Sequence, residues 1–488
     1  MTPQELKNSI LQLAIQGKLV EQRPEEGTGE ELYQQIQAEK QRLIKEGKIK
    51  KEKPLPEISE DEIPFDIPAS WIWVRIGNIG SWSAGATPSR TNPLYYNGDI
   101  PWLKTGDLND GIISDVPEFI SELALEKLSL RLNPIGSVLM AMYGATIGKL
   151  GILNIEATTN QACCACIPYE GVYNKYLFYF LMARRTDFIK MGEGGAQPNI
   201  SKEKIINAIF ALPPLAEQKR IVAKIDELMP YIERYDKAWS KLEELNKRFP
   251  TDLQKSILQL AIQGKLVEQR PEEGTAEELY QQIQAEKQRL IKEGKLKKEK
   301  PLPEITEDEI PFDIPESWKW VRVSSIVTLN PKNDIHDDTE VGFVPMPLVS
   351  DGFKNQHTFE IKKWKNIKSG FTHFANNDIG IAKITPCFQN RKSVIFKDLP
   401  NGFGAGTTEL SIVRVINDSL CREYLLWFFK TDYFITNGVK SFTGTAGQQR
   451  IHKDYLATCL IPLPPLAEQK RIVKRLEEIL PLCEKLKK

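Results

Sequence analysis

The chain lacks a surplus of charge. Its 488 residues hold 65 lysines plus arginines against 65 aspartates plus glutamates. Bulk positive charge as a means of holding nucleic acid is therefore excluded, and any such contact must come from a local patch. No apolar run reaches the ~18 residues of a membrane span, and the opening MTPQELKNSI lacks a signal peptide's apolar core. Seven cysteines, an odd number, supply no disulfide framework. These absences read as a cytoplasmic protein with no membrane partner.

Catalytic motifs are missing as well. GATIGK (Gly144–Lys149) sets three residues rather than four between its glycines, and Leu150 stands where a phosphate loop carries Ser or Thr. GFGAG (Gly402–Gly406) falls short of a dinucleotide fingerprint, and His336, His357, His373 and His452 are scattered. Cys163, Cys164 and Cys166 sit in an apolar run without metal-ligand spacing, which predicts buried core side chains. There is neither the Asn/Asp-Pro-Pro-aromatic tetrapeptide of amino-methyltransferases nor a nuclease carboxylate cluster. The chain reads as a binding protein, with no metal and no cofactor of its own.

What it does have is a repeat. Leu6–Ile79 and Leu253–Ile326 align without a gap, identical at 64 of 74 positions. LPPLAEQKRIV occurs at Leu212–Val222 and again, unchanged, at Leu463–Val473. In mid-chain the second element precedes the first; at the ends the first opens the chain and the second closes it. The sequence is thus circularly periodic with a unit of roughly 250 residues, which implies an approximate two-fold axis and excludes a long solenoid.

The repeated pieces carry helical spacing. Leu6, Ile10, Leu13 and Ala14 make one face, and Thr28 with Glu31, like Thr275 with Glu278, forms a capping-box pattern. Residues 54–70 bring prolines and charge and predict an extended linker. From Leu215 to about Lys247, Ile221, Val222, Ile225, Leu228 and Ile232 predict a long helix that pairs antiparallel with another, bent or interrupted at Pro230, as its copy is at Pro481. Two copies of one surface suit two copies of one partner.

The two unlike segments, about 80–211 and 327–462, mix strand-like runs (Ser137–Tyr143, Gly380–Ile384, Ser393–Phe396, Leu410–Val415) with helical ones (Asn174–Arg184, Leu420–Lys430), so they predict α/β (α+β) globules. Residues 71–212 hold 12 cations against 12 acids, and residues 318–463 hold 18 against 13, so the second is basic by 18 − 13 = 5. Both offer groups suited to bases and phosphates. In the first these are Thr87, Ser89, Arg90, Lys104, Thr146, Lys149, Asn160 and Gln161, within GATPSR, YYNGDIPWLKTGDL, MYGATIGK and TTNQA. In the second they are Lys383, Thr385, Gln389, Asn390, Arg391 and Lys392, within AKITPCFQNRK. Arginine and lysine donate to guanine, and Asn or Gln pairs bidentately with adenine.

GATPSR, YYNGDIPWLKTGDL, GATIGK, TTNQA and the closing GAQPNISKEKI…ALPPLAEQKRIV, with TAGQQRIHKDYL…PLPPLAEQKRIV as its partner, resemble the specificity (S, HsdS) subunits of type I restriction-modification systems over nearly the whole chain. The second segment keeps only the closing motif. The resemblance implies two target recognition domains (71–212 and 318–463), N-terminal helices (1–53), a linker (54–70), a central helical spacer (213–300), a second linker (301–317) and a C-terminal helix (464–488) pairing with the N-terminal ones. It further implies that each domain reads one half of a split, asymmetric site in double-stranded DNA. The antiparallel helices set the gap, two methyltransferase (M) subunits dock on the helices, and motor-nuclease (R) subunits join them. S-adenosylmethionine, ATP and magnesium are then expected only in those partners. The competing reading is a helical adaptor that scaffolds two identical proteins without touching DNA; it has no use for two divergent polar globules.

Overall fold

The first repeated piece folds as helices Pro3–Ile15 and Gly29–Lys45, and its copy uses Ala276–Lys292 for the second of these. The threonines at 28 and 275 cap as their spacing predicts, each accepting from the backbone N–H of the glutamate three residues on. Gly17 ends the first helix at φ +69°, where an added Cβ would stand 2.3 Å from Pro68, so only glycine fits that turn. The buried face of this helix is Leu11, Ala14 and Ile15. Leu13, placed on the inner face by spacing, is 41 % exposed, as is its counterpart Leu260.

The computed structural model describes residues 1–192, 199–298, 301–445 and 447–486; residues 195–198 of the GAQPN motif and Ala446 of TAGQQR lie outside them. The chain divides into two units, Met1–Leu242 and Glu243–Lys488. The helix Leu215–Ile262 runs through the boundary without a break. It continues past both Pro230 and Pro250 into the second copy of the SILQLAI stretch, and Leu466–Lys485 likewise runs through Pro481. The expected interruption is absent: Pro230 and Pro481 are exposed, so the carbonyl each leaves without a donor need not be buried.

Within each unit the two repeated elements are each other's partner. In the first, Trp71 Nε1 donates to Glu217 Oε2 at 2.9 Å and Gln22 takes the other oxygen. Arg220 forks onto Glu26 at 2.8 and 2.7 Å. Buried Gln218 donates to the Pro213 and Gly171 carbonyls and accepts from Tyr173 N–H. In the second, Trp318 and Gln269 hold Glu468, Arg471 forks onto Glu273, and Gln469 bonds Pro464 and Cys421. The LAEQKR string is spelled twice because it closes the same joint twice. The joint is antiparallel: Tyr235 reaches Met1 at one end while Gln22 reaches Glu217 at the other, and in the second unit Gln254 reaches Glu484 while Gln269 reaches Glu468.

The unlike segment of each unit enters and leaves through one two-stranded antiparallel ribbon, Ile72–Arg75 with Ile209–Leu212 and Lys319–Arg322 with Leu460–Leu463. Beyond it, the first unit builds a five-stranded sheet in the spatial order Gly80–Ala84, Cys163–Pro168, Val138–Ala141, Leu150–Leu153, Gly111–Ile113. A three-stranded sheet adds Phe119–Ile120, Tyr96–Leu103 and Thr158–Thr159. The second unit has two four-stranded sheets, Val327–Leu329, Leu410–Val415, Ile379–Ala382, Ser393–Ile395 and Glu360–Lys363, Glu340–Val344, Phe403–Gly406, Thr372–Ala375. Helices Asn174–Ala183 and Arg422–Phe429 pack behind, each sending a buried tyrosine hydroxyl (Tyr176, Tyr424) to a carbonyl of the ribbon. Cys163, Cys164 and Cys166 are buried in their strand, as their apolar setting predicts. The mixed α/β globules with long antiparallel helices match the expected fold class.

Candidate nucleic-acid interface

In the first unit backbone hydrogen bonds string the singled-out loops along one edge. Gly85 N–H donates to the Cys163 carbonyl and Ala86 N–H to that of Thr159, which seats GATPSR on TTNQA. A Cβ on Gly85 would lie 1.8 Å from the Thr159 carbonyl oxygen, so glycine is obligatory at this crossing. Asn160 N–H reaches the Leu103 carbonyl beside Lys104, and Met142 N–H reaches that of Ala162, bringing in the GATIGK turn. Gly144–Thr146 of that turn is a short 3-10 helix between two strands of the sheet, with Thr146 donating to the Tyr143 carbonyl.

The side chains on this edge differ in how free they are. Arg90 and Lys104 both bind Glu118, Arg90 at 2.7 Å, and together they hold that carboxyl below its usual range, Lys104 most of all. Arg90 also lies 4.4 Å above the Tyr96 ring, yet 60 % of its side chain is exposed, and among the described residues its fork donates only to Glu118. Ser89 bonds Thr91. Thr87, Lys149 and Gln161 make no side-chain hydrogen bond or ion pair among the described residues, and Asn160 Oδ1 is shielded from solvent with no partner. Along the edge strand leading into GATPSR runs a cleft of about 570 Å³, lined by Lys40, Lys48, Lys50, Arg131 and Lys202 together with Glu52 and Glu203.

The second unit builds the same edge from a different sequence. Lys383 N–H donates to the Glu409 carbonyl, as Met142 does to Ala162, and the Lys383 carbonyl accepts from Ile451, as that of Met142 does from Ile200. By this register the counterparts of Asn160 and Gln161 are Thr407 and Thr408, which the sequence reading missed. A Thr–Thr pair ahead of an apolar strand was their only signal. Arg450, forked onto Glu409, also joins this edge. Of the residues picked from sequence, Lys383 and Asn390 make no side-chain hydrogen bond or ion pair among the described residues, though the Lys383 charge acts on Glu409, and Thr385 and Gln389 bond one another at 2.7 Å. Arg391 and Lys392 turn inward. Arg391 donates to the Lys430 carbonyl and to Asp432 with 13 % of its side chain exposed, and Lys392 donates to the carbonyls of Met346 and Val349.

Residues 68–238 and 315–488 match the family described as the type I restriction modification DNA specificity domain. The chain belongs to that family. It carries the specificity domain twice, once in each unit. Among its relatives, the type I restriction enzyme EcoAI specificity subunit of Escherichia coli is 51 % identical over 235 residues, 48 % of this chain and 40 % of the relative. The EcoEI specificity subunit of the same species is 48 % identical over the same shares. The aligned part of the chain thus spans less than half the length of these relatives. The HsdS subunit from Thermoanaerobacter tengcongensis aligns over 87 % of this chain and 93 % of its own, at 21 % identity and a TM-score of 0.43. No helix among the described residues is long and apolar enough to cross a membrane.

One buried charge in the second specificity domain gives it a pH signature. Lys430 is wholly buried; burial and the neighbouring Arg391 push its amine down to about 7, while Asp351 pulls the other way. Asp432 pairs with that Arg391. Between pH 7 and the amine's unperturbed 10.5 the unfolded chain binds this proton and the folded chain does not. Stability therefore rises with pH in that window, by at most about 1.4 kcal/mol per pH unit from this group. Lys430→Met should flatten that slope in urea unfolding at pH 7, 8 and 9; an unchanged slope would contradict the assignment.

Proposed function

We propose that this chain is the specificity subunit of a type I restriction-modification complex. Each specificity domain reads one half of a split, asymmetric site in double-stranded DNA, and the helices set the gap between the halves. The observation that carries this reading is the repeated edge: two domains of unlike sequence string hydroxyl, amide and basic side chains along equivalent backbone bonds. Different letters on the same frame are what two readers of different sequences require.

Thr87, Ser89, Arg90, Lys104, Thr146, Lys149, Asn160 and Gln161 serve the first half-site. Lys383, Thr385, Gln389 and Asn390, with Thr407 and Thr408, serve the second; Arg391 and Lys392 shape the second loop from behind. The chain performs no chemistry itself. S-adenosylmethionine, ATP and magnesium act in its partners, two methyltransferase subunits and the motor-nuclease subunits that join them. Matched exposed apolar residues, Leu13 with Leu260 and Tyr231 with Leu482, are 41 to 60 % exposed and offer each methyltransferase copy the same footing. A chain of zero net charge relies on those subunits for part of the phosphate contact.

The test is binding of the complete complex to its DNA across a range of salt. Lys149→Ala and Lys383→Ala should each weaken binding to all sequences alike and lower the salt slope by about one. Slopes unchanged in both variants would remove these lysines from the interface.

A further inference from the structure

Behind each recognition edge a basic side chain reaches forward from the helical layer and touches the loops. In the second unit this is Lys430, the residue after helix Arg422–Phe429, whose side chain has no exposed surface. Its Nζ donates to the Gly352 carbonyl at 2.8 Å and the Arg391 carbonyl at 3.0 Å. Gly352 N–H donates in turn to the Asn390 carbonyl, and Arg391 Nε returns a bond to the Lys430 carbonyl. Two loops, 345–352 and 383–392, are thus stitched to each other and to the helical layer at one point.

The first unit reaches the same result with other residues. Trp102–Gly111 (WLKTGDLNDG) and Phe343–Gly352 (FVPMPLVSDG) occupy equivalent places, each beginning on a strand that pairs in parallel with the residues just before Asn160 in the first unit and Thr407 in the second, and both end in Asp-Gly. There Arg185 forks onto Asp110, and Asp110 bonds Leu150 through both its N–H and its Oδ1. The Arg185 chain also lies against Gly148, where a Cβ would come within 2.9 Å of it. The loop holding Lys104 and the turn holding Thr146 and Lys149 are so tied together.

We propose that Arg185 and Lys430 are positioning residues for sequence reading, each locking a pair of loops whose outward side chains face one DNA half-site. The inference rests on the reading of these edges as the DNA interface. Lys430 does more than fill space: a buried amine that must be held on two carbonyls is costlier than an apolar side chain of the same length. What the amine adds is direction, since its donors hold two carbonyls at fixed places. Each cation also serves only its own unit, so its loss should be felt in one half-site.

Two measurements on the full chain test this. Hydrogen exchange compares the parent with Lys430→Met, and with Lys430→Gln should the first not fold. Amides of 346–355 and 384–392 should exchange about tenfold faster, with 104–111 and 142–149 unchanged, and Arg185→Met should give the mirror result. The chain in complex with its methyltransferase partners is then offered randomised duplexes. Lys430→Met should relax the second half-site and leave the first intact; Arg185→Met should do the reverse, with Arg185→Lys, which keeps the charge, intermediate. Unchanged exchange in the named loops overturns the proposal, as does faster exchange throughout a unit with both half-sites still read faithfully. If the loops loosen but the parent chain selects no sequence, the tie between loops stands and the DNA reading falls.

Discussion

Exchanging residues 80–205 for the corresponding segment of another family member should change one half of the recognised DNA site and leave the other half untouched. The fold makes this exchange mechanically simple. The segment begins and ends just beyond the ribbon where Arg75 pairs with Ile209 and Ile72 with Leu212, so the chain enters and leaves it side by side. Trp71, Gln22, Glu26, Glu217 and Arg220, which close the helical joint, lie outside it, and Gln218 reaches into it only through backbone groups, the Gly171 carbonyl and the Tyr173 N–H. Arg75 stays too, buried and bonded to the carbonyls of Pro56, Glu57 and Asn207 and to Glu62. Each altered base pair in a half-site is worth about 1–3 kcal/mol, so a new reader shifts preference by orders of magnitude at its own half and not at all at the other. The near-identical 74-residue copies flanking this segment also invite recombination that performs the exchange naturally. A hybrid in which both halves change, or neither, would sink the assignment of one reader per half-site.

Trp318→Ala should destabilise the second unit by about 3–5 kcal/mol, the usual cost of truncating a buried tryptophan. Trp318 is 6 % exposed in the core that joins the helix around Leu258, the ribbon and the helix around Ile472. Its loss also strips Glu468 of the indole donor at 2.8 Å and leaves that carboxylate with Gln269 in a site that already raises its pKa by burial. Trp71→Ala repeats the experiment against Glu217 in the first unit. The units have separate cores, so urea unfolding of each variant should show one early transition and one near the parent's position. A cost below 1 kcal/mol, or an equal shift of both transitions, would show that the LAEQKR joint does not bear the load assigned to it.

How much of this could be read from the letters varied with the kind of cause. The repeated helices were legible because capping threonines and apolar spacing act locally. The face was not: the larger, more apolar Leu13 would be chosen for the interior on a helical wheel, yet Ala14 is the one in the core with Trp71, Ile221 and Val222 while Leu13 is exposed. Pro230 signals a break on any local rule, yet an exposed turn tolerates it inside a long helix. Both repeats were plain, but not that they are each other's partner, because nothing in sequence ties Glu217 to Trp71, 146 residues away. In the first unit the packing of GATPSR on TTNQA left one legible mark, Gly85, which close approach to Thr159 demands. The second was only half legible. Backbone bonds rather than side chains carry the register there, so Thr407 and Thr408 went unnoticed, and Arg391 and Lys392 look in sequence like any surface cations.

The most direct test of the central claim is a genome-wide map of methylated adenines in the host with this gene intact and deleted. The account predicts that deletion removes one motif, split into two unlike halves by a fixed gap, and that no other methylation changes. A map identical in the two strains would contradict it, and the helices would then have to be explained as a scaffold for partners that never meet DNA through this chain.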